Sequence, residues 1–271
     1  MSPKNNRIAF IVEGESFEGK IITAMKKVFF KEPVDVLKHN LITLPAAMNM
    51  YMLWKEVKDD PFIDIIELVR DSSEKSKREL NGLGRDDFSS VYLFFDFDSQ
   101  QANLSSGDNP MKVLRSMIET FDNETELGKL YVSYPMAEAL RDFERETCKA
   151  FSGSCYTPAG IKDYKTLSGN NNRMAQFNKY TENIWRDVIN CYLARLSCLC
   201  GKNVKMSIPE AKTFSVESIF IFQTQLLSAS GSTIILSAFA DFILEYFTAD
   251  HLESFMDGRE IRMGCGSLDR R

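Results

Sequence analysis

Residues 8–16 read Ile-Ala-Phe-Ile-Val-Glu-Gly-Glu-Ser, so five apolar residues run directly into Glu13 and Glu15 with Gly14 between them. A short run rich in Ile and Val, bounded by polar residues, fits a strand buried on both faces, as in a parallel sheet. The pattern predicts such a strand over residues 7–12. Acids at the end of a buried strand need a reason to be there. In open α/β sheets, ligands bind outside the carboxyl ends of the strands, which is where Glu13 would stand. Gly14, without a Cβ, lets the chain turn sharply and lets a phosphate or a metal ion approach the backbone. Ser16 is placed to cap a following helix through its side-chain oxygen. Glu15 reads either as a supporting acid behind Glu13 or as an ordinary first-turn charge.

Outward from this stretch, Ile21, Ile22, Met25, Val28 and Phe29 recur at helical spacing and predict a helix over 17–30. A second strand is expected at 33–37 and a helix over 45–57. A short strand within 62–69 is expected to lead into a charged helix over 72–80, ended by Asn81, Gly82 and Gly84. Residues 91–95, VYLFF, are the clearest strand of the chain and run into Asp96-Phe97-Asp98. A helix over 111–121 follows Pro110, a favoured first-turn residue, then a strand at 130–133 and a helix over 135–148. Strands alternating with helices imply crossovers and a mainly parallel sheet, hence an α/β fold. From about residue 150 the pattern turns helical, over 178–199, 215–227 and 234–247. Two regions are therefore expected. Residues 1–142 form an α/β catalytic domain. Residues 143–271 form a mainly helical region that packs on it or makes an oligomer or partner interface, a homodimer included.

The composition narrows the function classes. The 271 residues are 44% hydrophobic and 26% charged, as in an ordinary folded domain, and the net charge is −5. Such a chain has no global basic field for nucleic acid. A nucleic-acid partner must be held by a local patch, by metal or by another subunit. One mildly basic stretch joins Asn170, Asn171 and Asn172 to Arg173 and Lys179. The six cysteines include no C-x-x-C pair and the two histidines, His39 and His251, are far apart, which argues against a zinc site. The cysteines read as reduced core thiols of a cytoplasmic protein, with no signal peptide and no membrane span. No phosphate-binding glycine loop and no G-x-S-x-G nucleophile turn occur.

The chemistry concentrates at strand ends. Parallel neighbours would bring Glu13, Asp96 and Asp98 together. Crowded carboxylates repel one another and resist ionisation. A hard divalent cation such as Mg²⁺, which takes oxygen ligands, relieves that repulsion. Two aspartates one residue apart on an extended chain point the same way, and Phe97 between them points into packing.

The order strand–EGES–helix, then strand–DFD–loop–helix, resembles the TOPRIM domain of topoisomerases, DnaG-type primases and OLD-family nucleases. The likeness covers roughly residues 7–142. It is nearest to small bacterial TOPRIM nucleases of phage defence, such as RloB-like proteins and the nuclease subunit of the PARIS system. The resemblance implies a TOPRIM-like sheet, with Glu13 as the catalytic glutamate and Asp96 and Asp98 as ligands of Mg²⁺ or Mn²⁺. The third motif of those nucleases matches Tyr134-Pro135-Met136-Ala137-Glu138, which adds Glu138 as a site acid. Tyr164-Lys165 resembles a Tyr-Lys pair of RloB-like chains, so Lys165 would neutralise the phosphate being cut. Gln100 departs from the family's D-x-D-x-D form. The implied activity is a metal-dependent endonuclease acting on DNA, RNA or tRNA, a toxic anti-phage effector working with an ABC- or AAA-type ATPase sensor. Two alternatives stand beside it: a non-catalytic TOPRIM-shaped subunit of an ATPase complex, and a primase-like nucleotidyl transferase.

Overall fold

The computed structural model describes residues 7–14, 16–31, 41–58, 60, 62–97, 109–143, 156–158, 164–168 and 173–258. Its centre is a five-stranded sheet in the order β2-β1-β3-β5-β4. β1 (Arg7–Val12), β2 (Leu41–Pro45), β3 (Phe88–Asp96) and β5 (Gly128–Ser133) are parallel neighbours, and the short β4 (Asp122–Asn123) closes one edge antiparallel to β5. The α/β class with a mainly parallel sheet is therefore the observed one. β1 is buried over its last four residues, and Val91 to Phe95 of β3 are buried without a break. Such strands must be covered on both faces.

α1 (Phe17–Phe29) connects β1 to β2 and buries Ile21, Ile22, Met25, Val28 and Phe29 against the sheet. α2 (Met50–Val57), α3 (Ile65–Ser72), α4 (Glu74–Leu80) and α5 (Pro110–Thr120) complete the first half. Three local readings are corrected here. The stretch expected to contain a strand within 62–69 is helix α3, because Asp64 caps it by accepting from the N–H groups of Ile66 and Glu67. The helix expected from residue 45 begins at Met50, since Leu41–Pro45 pairs with β1 as an edge strand, where a proline is tolerated. The helix expected over 135–148 is a 3-10 turn over Ala137–Asp142 among the described residues. The strand expected at 33–37 lies outside the described residues.

In the second half, β6 (Tyr156–Pro158) precedes α6 (Tyr164–Ser168), α7 (Glu182–Leu199), α8 (Ile208–Ala211) and α9 (Val216–Ser230). β7 (Ser232–Ile234), α10 (Ala238–Tyr246) and α11 (Ala249–Met256) follow. The apolar run expected as one helix over 234–247 is split between β7 and α10. Buried Gln223 holds β7 like a neighbouring strand, accepting from the Ile234 N–H at 2.9 Å and donating to the Ile234 carbonyl at 2.7 Å. α10 lies directly on the sheet. Phe239 stacks on Phe94 with ring centroids 4.8 Å apart, and Phe242 meets Phe10 at 5.4 Å and Tyr92 at 5.0 Å. One hydrophobic core thus runs from β1 to α11.

Cys191 is disulfide-bonded, while Cys198 and Cys200 are free. This corrects the expectation of reduced thiols throughout, since cross-linking depends on Cβ proximity in space and not on spacing along the chain. Among the described residues no helix is long and apolar enough to cross a membrane.

Candidate active site at the sheet switch point

The chain leaves β1 through α1 to reach β2 on one side, and later enters β3 on the other side of β1. The strand order therefore reverses between β1 and β3, the point where α/β sheets open a crevice at their carboxyl ends. Val12 pairs with Phe94, so Glu13 and Asp96 emerge from adjacent strands at that crevice. Asp96 also pairs with Ser133 at the end of β5. Beyond Ser133 the chain turns at a cis Tyr134–Pro135 bond, and Ala137 donates its N–H to Asp96 Oδ1 at 2.7 Å. Phe97 donates to the Ser133 carbonyl at 2.9 Å, and its ring packs 5.0 Å from Tyr134. The backbone on both sides of Asp96 is thereby tied to β5.

Electrostatics identify what surrounds Asp96. Burial pushes its carboxyl well above the ordinary aspartate value. The nearby charges of Glu13 and Glu18 push it further, the Ala137 N–H opposes them, and Glu138 adds to the rise. Glu13, Asp96 and Glu138, three of the predicted acids, therefore share one electrostatic neighbourhood. Lys165 joins at its rim, with Nζ 3.5 Å from Glu138 Oε1; the glutamate is buried and the lysine exposed. Asp98 and Glu15 lie outside the described residues.

Glu18 is the residue that the sequence reading did not select. It belongs to the first turn of α1 and is 8% exposed. Ser16 makes no side-chain capping bond; instead Glu18 reaches back and accepts from the Gly14 N–H at 3.3 Å. Gly14 has a second purpose visible here. A Cβ at this position would stand 3.0 Å from Glu18 Oε2, so the absent side chain makes room for the carboxylate. A Glu in a first helical turn is so ordinary a preference that its burial left no signal in the sequence.

Arg141 was also missed. Its guanidinium covers the ring of Phe17 at 4.8 Å and donates through Nη1 to the Lys165 carbonyl at 3.3 Å. Its buried Nε has no hydrogen-bond partner among the described residues. Two cationic side chains, Lys165 and Arg141, therefore border the acids on the side of the 3-10 turn.

No family model, curated protein or solved structure matches this chain. The site is therefore judged on its own chemistry. Among the described residues no three His, Cys, Asp or Glu side chains converge closely enough to hold an ion. The acids sense one another's charge without closing into a cage, as mutually repelling carboxylates do. The donor set is all oxygen, hard and anionic, and it fits Mg²⁺ or Mn²⁺ far better than a thiophilic or imidazole-seeking metal.

Proposed function

We propose that this protein is a divalent-cation-dependent nuclease of TOPRIM type, cutting phosphodiester bonds at the crevice between β1 and β3. The observation that carries the reading is Asp96, a half-buried carboxylate at the switch point whose proton affinity Glu13, Glu18 and Glu138 all raise. Carboxylates gathered in one neighbourhood cost the fold stability, and a bound cation would offset that cost.

Glu13 and Asp96, with Asp98, would hold the cation. Mg²⁺ or Mn²⁺ bound there supplies Lewis-acid stabilisation of charge developing on the phosphate. The chain's own groups do the rest. Glu13 or Glu138 accepts the proton of the attacking nucleophile. The Lys165 ammonium, exposed at the end of its stem, neutralises a phosphate oxygen. Arg141 sits beside it and offers a second cationic contact. The likeness of the two strand-end motifs to phage-defence nucleases supports a toxic effector role in the cytoplasm with an ATPase partner.

A nuclease assay tests this. Wild-type protein with Mg²⁺ or Mn²⁺ is expected to cut an RNA or DNA substrate, and Glu13→Gln is expected to lower the rate at least ~100-fold. Equal cleavage by both proteins would overturn the assignment. The second reading, an inert subunit docked on an ATPase, is favoured by the lack of a converged ligand trio among the described residues. Cleavage that appears only when the ATPase partner is added would select a partner-assembled nuclease. No cleavage under either condition would select the binding subunit.

A further inference from the structure

A large cavity runs along α1 and encloses about 1250 Å³. It begins at Ser16 and Gly19, within one turn of Glu18, and continues past Lys31 at the far end of the helix. That length of helix rises ~22 Å. Five lysines line it: Lys20, Lys26, Lys27 and Lys31 from α1 and its end, and Lys75 from α4. Glu79 is the single acid among the lining residues. Lys31 is ion-paired with Glu182, outside the groove, which removes part of its charge from the count. With Lys75 set aside as well, Lys20, Lys26 and Lys27 still outnumber Glu79, in a chain whose net charge is −5.

We propose that this groove carries the sugar–phosphate backbone of the nucleic-acid strand that the carboxylate cluster cuts, an inference that rests on the nuclease reading. Three features support it. First, the lysines follow the helix instead of surrounding one point, as needed to track successive phosphates. Lys20 and Lys27 are exposed and two turns apart on α1. Second, the groove floor carries a fixed cation. Lys26 Nζ is held against β2, donating to the Leu41 carbonyl at 2.7 Å and to Thr43 Oγ1 at 3.3 Å. Burial pulls its ammonium down to about 8, with Glu79 opposing. A phosphate lying over it restores the charge and gains a preorganised donor. Third, the groove begins at Ser16, three residues after Glu13 along the chain. A strand lying in it would run along α1 toward the helix N-terminus, the end of α1 that follows β1 and Glu13. The requirement set by the composition, a local patch in an acidic protein, is met here.

Binding and cutting are separable by experiment. Fluorescein-labelled 20-mers of single-stranded RNA and DNA are titrated with full-length protein in EDTA, and anisotropy is followed across a salt series. Wild type is expected to bind at least one of the two polymers with a salt-dependent affinity. The double variant Lys20→Gln/Lys27→Gln is expected to bind ~10-fold more weakly, uniformly across sequences, and to lose about 1.4 from the slope of log K against log salt. Glutamine keeps helix propensity, so the fold is retained and circular dichroism verifies it. Lys112→Gln, on the exposed face of α5, is expected to bind as wild type. Unchanged affinity and slope in the double variant would overturn the groove while leaving the nuclease reading untouched. No binding by wild type to either polymer at low salt would also overturn it. Loss of binding in the double variant of a protein that never cuts would uphold the groove and remove the nuclease reading instead.

Discussion

At pH 8 and without divalent metal, the Asp96→Asn variant is expected to melt higher than wild type, and with Mg²⁺ or Mn²⁺ added it is expected to cut no nucleic acid. The introduced amide would keep an oxygen for the Ala137 N–H, which is 2.7 Å from Oδ1 of the aspartate, so the hydrogen bond survives. What disappears is a half-buried carboxyl whose ionisation the charges of Glu13, Glu18 and Glu138 oppose. Relief of one such charge is worth on the order of 2 kcal/mol, or ~4 °C in a chain of this size. The sign follows from linkage. The folded carboxyl binds its proton more tightly than the unfolded one, whose value is 3.8. Below that pH both states are protonated, and the charge makes no difference to stability. As pH rises, the unfolded chain ionises first and wild-type stability falls until the folded group ionises as well. The advantage of the amide is therefore gone near pH 4, grows as pH rises above it, and is present at pH 8. Scanning fluorimetry of both proteins across this range, in EDTA, reads it directly. A variant less stable than wild type at pH 8, or shifted equally at both ends, defeats the idea that Asp96 is held there at a cost.

A second, half-buried acid has the same sign and serves as the control. Burial pushes Asp241 of α10 up to about 7, although it accepts from the Tyr192 hydroxyl at 2.9 Å. Its destabilising contribution grows from pH 4 and is complete above about 7. Asp241→Asn is thus expected to raise the melting temperature in the same window while leaving cleavage intact. Only at Asp96 should stability and activity move in opposite directions. That opposition is the signature of a strained functional group, because sites commonly carry groups that the fold alone would reject.

What the sequence disclosed follows from how local each signal was. Glu13 and Asp96 were legible because each ends a strand whose apolar run is contiguous, and position at a strand end is itself the clue. Glu138 was legible only through a motif, since its burial comes from the turn after β5 and not from any periodicity. Glu18 and Arg141 were illegible for the opposite reason. One looks like a common first-turn acid and the other like a surface cation. Only the return of α1 toward the 3-10 turn places them at the crevice. The same distinction explains the fold. β1, β3 and α1 follow unambiguous patterns, whereas β2 reads Leu-Ile-Thr-Leu-Pro, too short to outweigh the methionines that follow. β7 is a strand because it pairs antiparallel with β6, far away in the sequence, while Gln223 holds Ile234.

The last expectation concerns Phe242, which decides whether the helical half is an appendage or part of the catalytic unit. Its ring is fully buried and touches Phe10 of β1, Tyr92 and Phe94 of β3, and Tyr131 of β5, at centroid distances of 5.0–5.6 Å. Most of these contacts are edge-to-face, the arrangement in which aromatic quadrupoles attract. One side chain of α10 therefore spans the three central strands whose ends carry the acids. Phe242→Ala removes the ring and leaves a cavity that the strands, fixed by their ladders, cannot collapse to fill. The cost is expected to be about 3–5 kcal/mol, large against the stability of a typical domain. Loss is expected to be cooperative: far-ultraviolet ellipticity and the near-ultraviolet signal of the aromatic cluster should fall together, and cleavage with them. Phe242→Leu, which keeps most of the volume, should recover much of that stability and, with it, any cleavage that wild type shows. A two-step melt, with the sheet surviving after α10 detaches, or a cost below about 1 kcal/mol, would show that the α/β half stands alone. The stacked rings argue otherwise. The sheet face under α10 is a continuous layer of Phe10, Tyr92, Phe94 and Tyr131, and without the helix that layer would be turned to water, directly behind the strands that hold Glu13 and Asp96 in place.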